Sequence, residues 1–250
     1  MKRGVLLIDR GSREIEAKEE LDFICKKVQE KGDYVFSDYC FLEVLPPFIE
    51  EGVKKCLQQK IEALTIVPYF LYPGKKVKAA VNDAIKFQSE TNVKFVVSKP
   101  MSMHKTMSEL VENRVKSALE KNNVSIPNNR VDVLIIGHGS KDPNAQLSIQ
   151  YVVDNLDSTY RNINHCFLEI EEPNIQQGIN KCEKNDPEVL VVVFYFLHKG
   201  AHVKRDIYED LNPAVEKSNL KKVLITKHIG ADEKMIDLIL ERAREVEHAN

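Results

Sequence analysis

The sequence lacks an excess of charge of either sign: 36 Lys and Arg stand against 38 Asp and Glu, a formal net charge of −2. That balance gives no support to nucleic-acid binding through phosphate neutralisation, although local basic patches are allowed. Long apolar runs are also missing. The longest, residues 189–197, is too short to span a bilayer, and near the N-terminus only residues 5–8 are apolar, too few for a signal peptide. A soluble, cytoplasmic protein without membrane or nucleic-acid partners is the expectation. The five cysteines, Cys25, Cys40, Cys56, Cys166 and Cys182, are odd in number and show no CxxC spacing. This argues against a zinc ribbon, a thioredoxin-like motif or a disulfide framework, and favours small buried apolar residues.

What is present is clearest at residues 131–140, VDVLIIGHGS. An apolar, β-branched run stops at Gly137-His138-Gly139-Ser140, and a helix-compatible segment follows with Asp142 and Pro143 near its start. The pattern puts a histidine on the lip of a strand, with glycines on both sides that let the chain turn and leave the imidazole accessible. A phosphate cradle at a helix N-terminus is the competing reading of such a loop. The loop has too few glycines for a dinucleotide fingerprint.

Self-comparison shows that this stretch occurs twice. LIDRGSR (7–13) lies over IIGHGSK (135–141), CFLE (40–43) over CFLE (166–169), and VPYFLYPGKKVK (67–78) over VFYFLHKGAHVK (193–204), at offsets of 126–128 residues. Cys56 falls on Cys182. Each copy reads as four strand–helix pairs. In the first copy strands are expected near 4–8, 34–42, 63–70 and 94–97, with helices over 14–31 (closed by Gly32), 47–59, 76–91 and 105–121. The second copy ends in an amphipathic helix over 232–247. Alternating β and α elements with apolar strands imply two similar α/β lobes, each a parallel sheet with helices on both faces. The expected division is residues 1–122, a polar linker at 123–129, and residues 130–250.

Ligands of such sheets bind beyond the carboxyl ends of the strands. His138 follows the first strand of its copy, Glu169 ends the second, and His198 and His202 follow the third. Two imidazoles and a carboxylate are a plausible divalent-metal set with open positions. Glu169 alone is equally a cap or surface residue, and its counterpart Glu43 is consistent with a structural role. His198 replaces Tyr72 and is expected at the rim rather than on the metal, while Asp206 lies one turn beyond His202, either orienting its imidazole or favoured there by the helix dipole. His104, His165, His228 and His248 are expected on the surface or in packing.

Taken together, a strand ending in GHGS, an FLE segment about thirty residues on and a YFLxxGxHVxxDI segment resemble the CbiX/SirB sirohydrochlorin chelatases, the class II tetrapyrrole chelatases, whose long members are tandem duplications. The resemblance implies a lyase that inserts Co2+ or Fe2+ into sirohydrochlorin without ATP, in a cleft between two lobes, on the way to cobalamin or sirohaem. The metal is then a substrate, no cofactor is tightly bound, and a monomer is expected. By the same resemblance His138, His202 and Glu169 are the catalytic and metal-holding residues; Ser140 and His198, on the same rim, are expected beside the substrate. In the first copy the matching positions hold Arg10 and Lys76, which offer no lone pair to a metal. The active constellation therefore falls in the second copy. Arg10 and Lys76 suit the carboxylates of a polyanionic macrocycle; the alternative is a copy that drifted into a scaffold. A non-catalytic tetrapyrrole or metal carrier on the same fold is the competing function.

Overall fold

The computed structural model describes residues 1–198 and 207–248. Two compact units are present, residues 1–102 with 231–250 and residues 103–230. In the first, β1 (Arg3–Asp9) runs parallel to β2 (Phe36–Phe41) on one side and to β3 (Ala63–Pro68) on the other, and β4 (Lys94–Val97) completes the order β2-β1-β3-β4. Val5 to Ile8 are fully buried, as a central parallel strand covered on both faces requires. Helices α1 (Ile15–Gly32), α2 (Ile49–Leu57) and α3 (Lys75–Ile85) connect these strands. Leu6, Ile8, Cys40, Val53, Cys56, Leu64 and Ile66 pack into one core beneath α2 and α3.

The segment α4 (Lys105–Lys121) belongs to the second unit. There β5 (Val131–Gly137), β6 (Asn162–Phe167), β7 (Val189–Phe194) and β8 (Val223–Ile225) take the order β6-β5-β7-β8, all parallel. Helices α5 (Pro143–Asp154), α6 (Ile175–Lys184) and α7 (Asn212–Glu216), the last preceded by a π-helical turn at Ile207–Leu211, cover the sheet together with α4. Leu134, Ile136, Cys166, Ile179, Cys182, Leu190 and Val192 repeat the core of the first unit. The chain's last helix, α8 (Glu233–Glu247), packs on α1, β3 and β4 of the first unit. Among the described residues no helix is long and apolar enough to cross a membrane.

The compact units therefore do not coincide with the sequence copies: each copy's final helix covers the other copy's sheet. Two repeat-related arginines anchor the exchange. Arg242 of α8 donates to the carbonyls of Pro100 and Ser102, both at 3.1 Å, and Arg114 of α4 donates to the carbonyls of His228, at 2.9 Å, and Ile229. A carboxylate from each exchanged helix also meets a tyrosine hydroxyl, Glu247 with Tyr34 and Glu112 with Tyr160, at 3.1 Å each. The polar segment at 123–129 is tied into the second unit, where Asn128 Nδ2 donates to Asp157 Oδ2 (3.2 Å) and Thr159 Oγ1 (2.9 Å).

Several boundaries differ from expectation. Gly32 does not close α1: it is the last helical residue, the left-handed turn is at Asp33 (φ 54°), and a Cβ on Gly32 would run into the Tyr34 ring. Helix α2 starts at Ile49 rather than at the proline pair, because the Pro47 carbonyl accepts the Phe41 N–H at 2.8 Å and belongs to the edge of β2. Helix α3 gives way at Lys86 to a 3-10 turn, Lys86–Glu90, where the Gln88 amide bridges Val93 O (2.8 Å) and Phe95 N (2.7 Å).

One buried charge tests this packing. Asp132, fully buried at the start of β5, accepts from Arg161 Nε at 2.9 Å and from Asn162 Nδ2 at 3.2 Å. Removing the guanidinium leaves a buried carboxylate without its counter-charge, so Arg161→Ala is expected to cost about 3 kcal/mol, read as a lower urea midpoint at constant m. A change under about 0.5 kcal/mol would mean that Asn162 and solvent suffice.

Candidate active site

The strand order reverses at β1 and again at β5, so their carboxyl ends open onto the crevice where α/β sheets bind ligands. In the second unit three bonds fix the loop after β5. Leu168 N donates to Gly137 O at 2.9 Å, Glu169 N to His138 O at 3.1 Å, and Tyr195 N to Ile136 O at 2.9 Å. The first unit repeats them with Leu42 and Asp9, Glu43 and Arg10, and Tyr69 and Ile8. This stitching explains the second glycine of the motif. Gly139 has φ 92° and a Cβ there would strike the Glu169 carbonyl oxygen; Gly11, at φ 108°, meets the Glu43 carbonyl in the same way. Gly137, in contrast, lies within the strand where the first copy carries Asp9, so the backbone does not require glycine on both sides of His138.

Glu169 lies two residues beyond the end of β6 rather than on it. Its carbonyl accepts from Glu171 N at 2.8 Å around Ile170, whose φ is 73°; Leu45 N and Glu43 O (3.1 Å) close the same turn around Val44, φ 81°. These are γ-turns with a β-branched residue at positive φ, a conformation that costs about 1–3 kcal/mol and persists only where the surroundings enforce it. The turn presents the glutamate side chain at the rim.

His138 Nε2 lies 3.4 Å from Glu169 Oε1, and Nδ1 lies 3.2 Å from Gly139 O. With Nδ1–H donating to that carbonyl, Nε2 keeps its lone pair facing the carboxylate. The imidazole also meets the edge of Phe196, with centroids 6.4 Å apart. Two ligands that each bind a first-row divalent ion at about 2.1 Å are about 3.4 Å apart when they subtend a near-tetrahedral angle. The pair thus has the spacing of adjacent ligands, and with side chains 31% and 59% exposed it is open to solution.

Of the other expected site residues, Ser140 accepts from Asp142 N through Oγ at 3.0 Å and donates its N–H to Glu171 Oε2 at 2.8 Å. His198 is half-buried in the bend after β7. His202 and Asp206 lie outside the described residues, and among the described residues no group of three or more His, Cys, Asp and Glu is placed to hold a metal. Phe196 and Glu171 were not singled out from the sequence. The signals were there: Phe196 repeats Phe70, and Glu171 stands where the first copy has Leu45.

The first unit brings Arg10, Glu43 and Lys76 together. Arg10 Nε lies 2.8 Å from Glu43 Oε1 and Lys76 Nζ 2.6 Å from Glu43 Oε2. The Lys76 ammonium, then the Arg10 guanidinium, hold the Glu43 carboxyl below its ordinary pKa. Both oxygens are engaged by permanent donors, which makes the cluster a net cation rather than a metal ligand set.

His165, on β6, is half-buried against the Phe167 ring (5.5 Å), and burial, then the nearby Lys181 charge, lower its pKa. Because the folded protein resists protonating this imidazole more than the unfolded chain does, stability falls as pH drops below the ordinary histidine range and levels off below the folded-state pKa. Replacing it with the first copy's residue, His165→Tyr, is expected to flatten the melting temperature between about pH 7 and pH 5. An unchanged slope would assign the loss to other groups.

Three comparisons bear on this geometry. The sirohydrochlorin cobaltochelatase of Priestia megaterium is 24% identical over 249 residues, 97% of this chain and 79% of the relative. The sirohydrochlorin ferrochelatase of Bacillus subtilis (strain 168) is 23% identical, over 98% of this chain and 92% of the relative. The solved structure of SirB from Bacillus subtilis with Fe3+ shares the fold, with a TM-score of 0.82 at 23% identity, over 98% of this chain and 95% of that one. The CbiX family model matches residues 4–118 and again 132–246, the two copies found by self-comparison, and the chain belongs to that family.

Proposed function

We propose that this protein is a sirohydrochlorin chelatase that inserts Co2+ or Fe2+ into the macrocycle without ATP. The observation that carries the reading is the 3.4 Å approach of His138 Nε2 to Glu169 Oε1 at the carboxyl rim of β5 and β6. Insertion requires that the ion shed water and that the macrocycle lose two pyrrole protons. A neutral imidazole offers either a ligand or a base, and the adjacent carboxylate balances the charge of the arriving ion or accepts a proton. His202 is the second imidazole of this reading, and Ser140 and His198 lie on the substrate side. Imidazole and carboxylate suit Co2+ and Fe2+ alike. The relatives that cover nearly the whole chain are named as cobalto- and ferrochelatases, which does not favour a carrier.

In this proposal the copy in residues 130–250 carries the chemistry and the copy in residues 1–122 is degenerate. Arg10 and Lys76, 56% and 55% exposed, serve as cationic contacts for the substrate's carboxylates. The buried free thiols fit a reducing, cytoplasmic setting. The test is anaerobic incubation of the pure protein with sirohydrochlorin and Co2+, Fe2+ or Ni2+, singly and in competition, followed by absorbance without ATP. Insertion faster than the uncatalysed control is expected; stoichiometric binding without insertion would establish the carrier instead.

A further inference from the structure

The two copies hold the loop after their first strand with different carboxylates. In the first unit the side chain of Asp9, buried at the end of β1, accepts the Gly11 N–H through Oδ1 at 2.8 Å. In the second unit that position is Gly137, which has no side chain to accept anything. There Glu171 Oε2, coming from the neighbouring loop, accepts the Ser140 N–H at 2.8 Å. The first copy has Leu45 at the place of Glu171, and Leu carries no acceptor. Three differences therefore occur together: Arg10 becomes His138, Asp9 becomes Gly137, and Leu45 becomes Glu171.

We infer that Glu171 is a positioning residue for His138, replacing from the rim the anchor that the Asp9-to-Gly137 difference removes from beneath the loop. The γ-turn at Ile170 makes this possible, because reversing the chain there returns Glu171 toward residues 138–140 while Glu169 stays beside the imidazole. The contact is not needed to start α5, since Ser140 Oγ already accepts the Asp142 N–H. Its effect falls two residues from His138, on a loop whose carbonyl at Gly139 lies against Nδ1. A charge-assisted bond at that point limits the freedom of the ring that faces Glu169. The role in turnover rests on the proposed chelatase reading; the anchor itself does not.

The experiment compares full-length wild type with Glu171→Ala and Glu171→Gln, using thermal melts as the folding control. In metal-free protein, amide exchange at Ser140 and the His138 ring signals are followed by NMR; in parallel, kcat and KM for metal insertion are measured. Glu171→Ala is expected to speed Ser140 exchange about tenfold or more while β5 stays protected, to move the His138 ring signals, and to lower kcat about 10- to 100-fold with KM changed less than about threefold. Glu171→Gln keeps an oxygen acceptor and is expected to recover most of each effect. Unaltered Ser140 exchange or unmoved ring signals in Glu171→Ala would overturn the anchor, and kcat within twofold of wild type would overturn its role in turnover. A Gln variant as impaired as Ala would overturn positioning in favour of a direct role for the charge. Should wild type insert no metal, the chelatase reading fails, and the exchange and ring signals still decide the anchor.

Discussion

Replacing His138 with Ala is expected to lower the rate of metal insertion by about 10²–10⁴-fold, the loss typical of a missing acid–base or ligand group. The imidazole is partly exposed and, among the described residues, its side chain meets Glu169 and the edge of Phe196, so the fold should survive. A melting temperature within a few degrees of wild type is the control. Arg10→Ala and Lys76→Ala make the contrast. Neither side chain can give a lone pair to a metal, and each is held by Glu43, so their loss should raise KM more than it lowers kcat. The four proteins assayed side by side decide where the chemistry sits. If Arg10→Ala or Lys76→Ala abolishes kcat while His138→Ala keeps it, the second-copy assignment is wrong.

Residues 103–230 expressed alone are expected to fold cooperatively, and residues 130–250, the whole second sequence copy, are not. The first piece is one compact unit and keeps α4. The second loses α4 and with it the buried side chains Met107, Leu110, Val111, Val115, Ala118 and Leu119, together with the Arg114 bonds to His228 and Ile229. At about 1.5–3 kcal/mol for each large apolar side chain, the loss is on the order of 10 kcal/mol, comparable to the entire stability of a domain. The α8 that residues 130–250 retain has its buried face, Met235, Ile236, Leu238, Ile239, Leu240 and Ala243, shaped for the first unit and would be left uncovered. Circular dichroism melts of the two pieces settle the matter. A cooperative transition in residues 130–250, or its absence in residues 103–230, would show that the exchanged helices are accessory.

The central strands were legible because parallel strands covered on both faces must be continuous apolar runs, as at β1, expected near 4–8 and found at Arg3–Asp9; the edge strand β4 and the helix α4 also fall where expected, at Lys94–Val97 and Lys105–Lys121. The rim was legible for a related reason: a histidine after such a strand has few places to go. The helix exchange was not. An amphipathic stripe on α4 or α8 says that one face must be buried, but nothing in its period names the sheet that buries it. The γ-turns were hidden for the opposite reason, since Ile170 and Val44 are residues that ordinarily avoid positive φ, and only the bonds between two loops impose it. Glu171 stayed out of view because it is one of three acids within residues 169–172, and its meaning comes from a backbone N–H thirty-one residues away.

The γ-turn is common to the two copies. Val44 and Ile170 keep the same uncomfortable backbone and each leaves a β-branched apolar side chain exposed, 46% and 54%, although one glutamate faces cations and the other an imidazole. The first copy thus shares the main-chain form of the second copy's rim while its side chains differ, with Glu43 delivered to the rim by the same three-residue reversal. Main-chain geometry held by bonds between two loops is not easily erased by single substitutions, whereas the charge that a rim presents can be changed by one or two. In this duplicated chain the two rims differ in side-chain chemistry and agree in form.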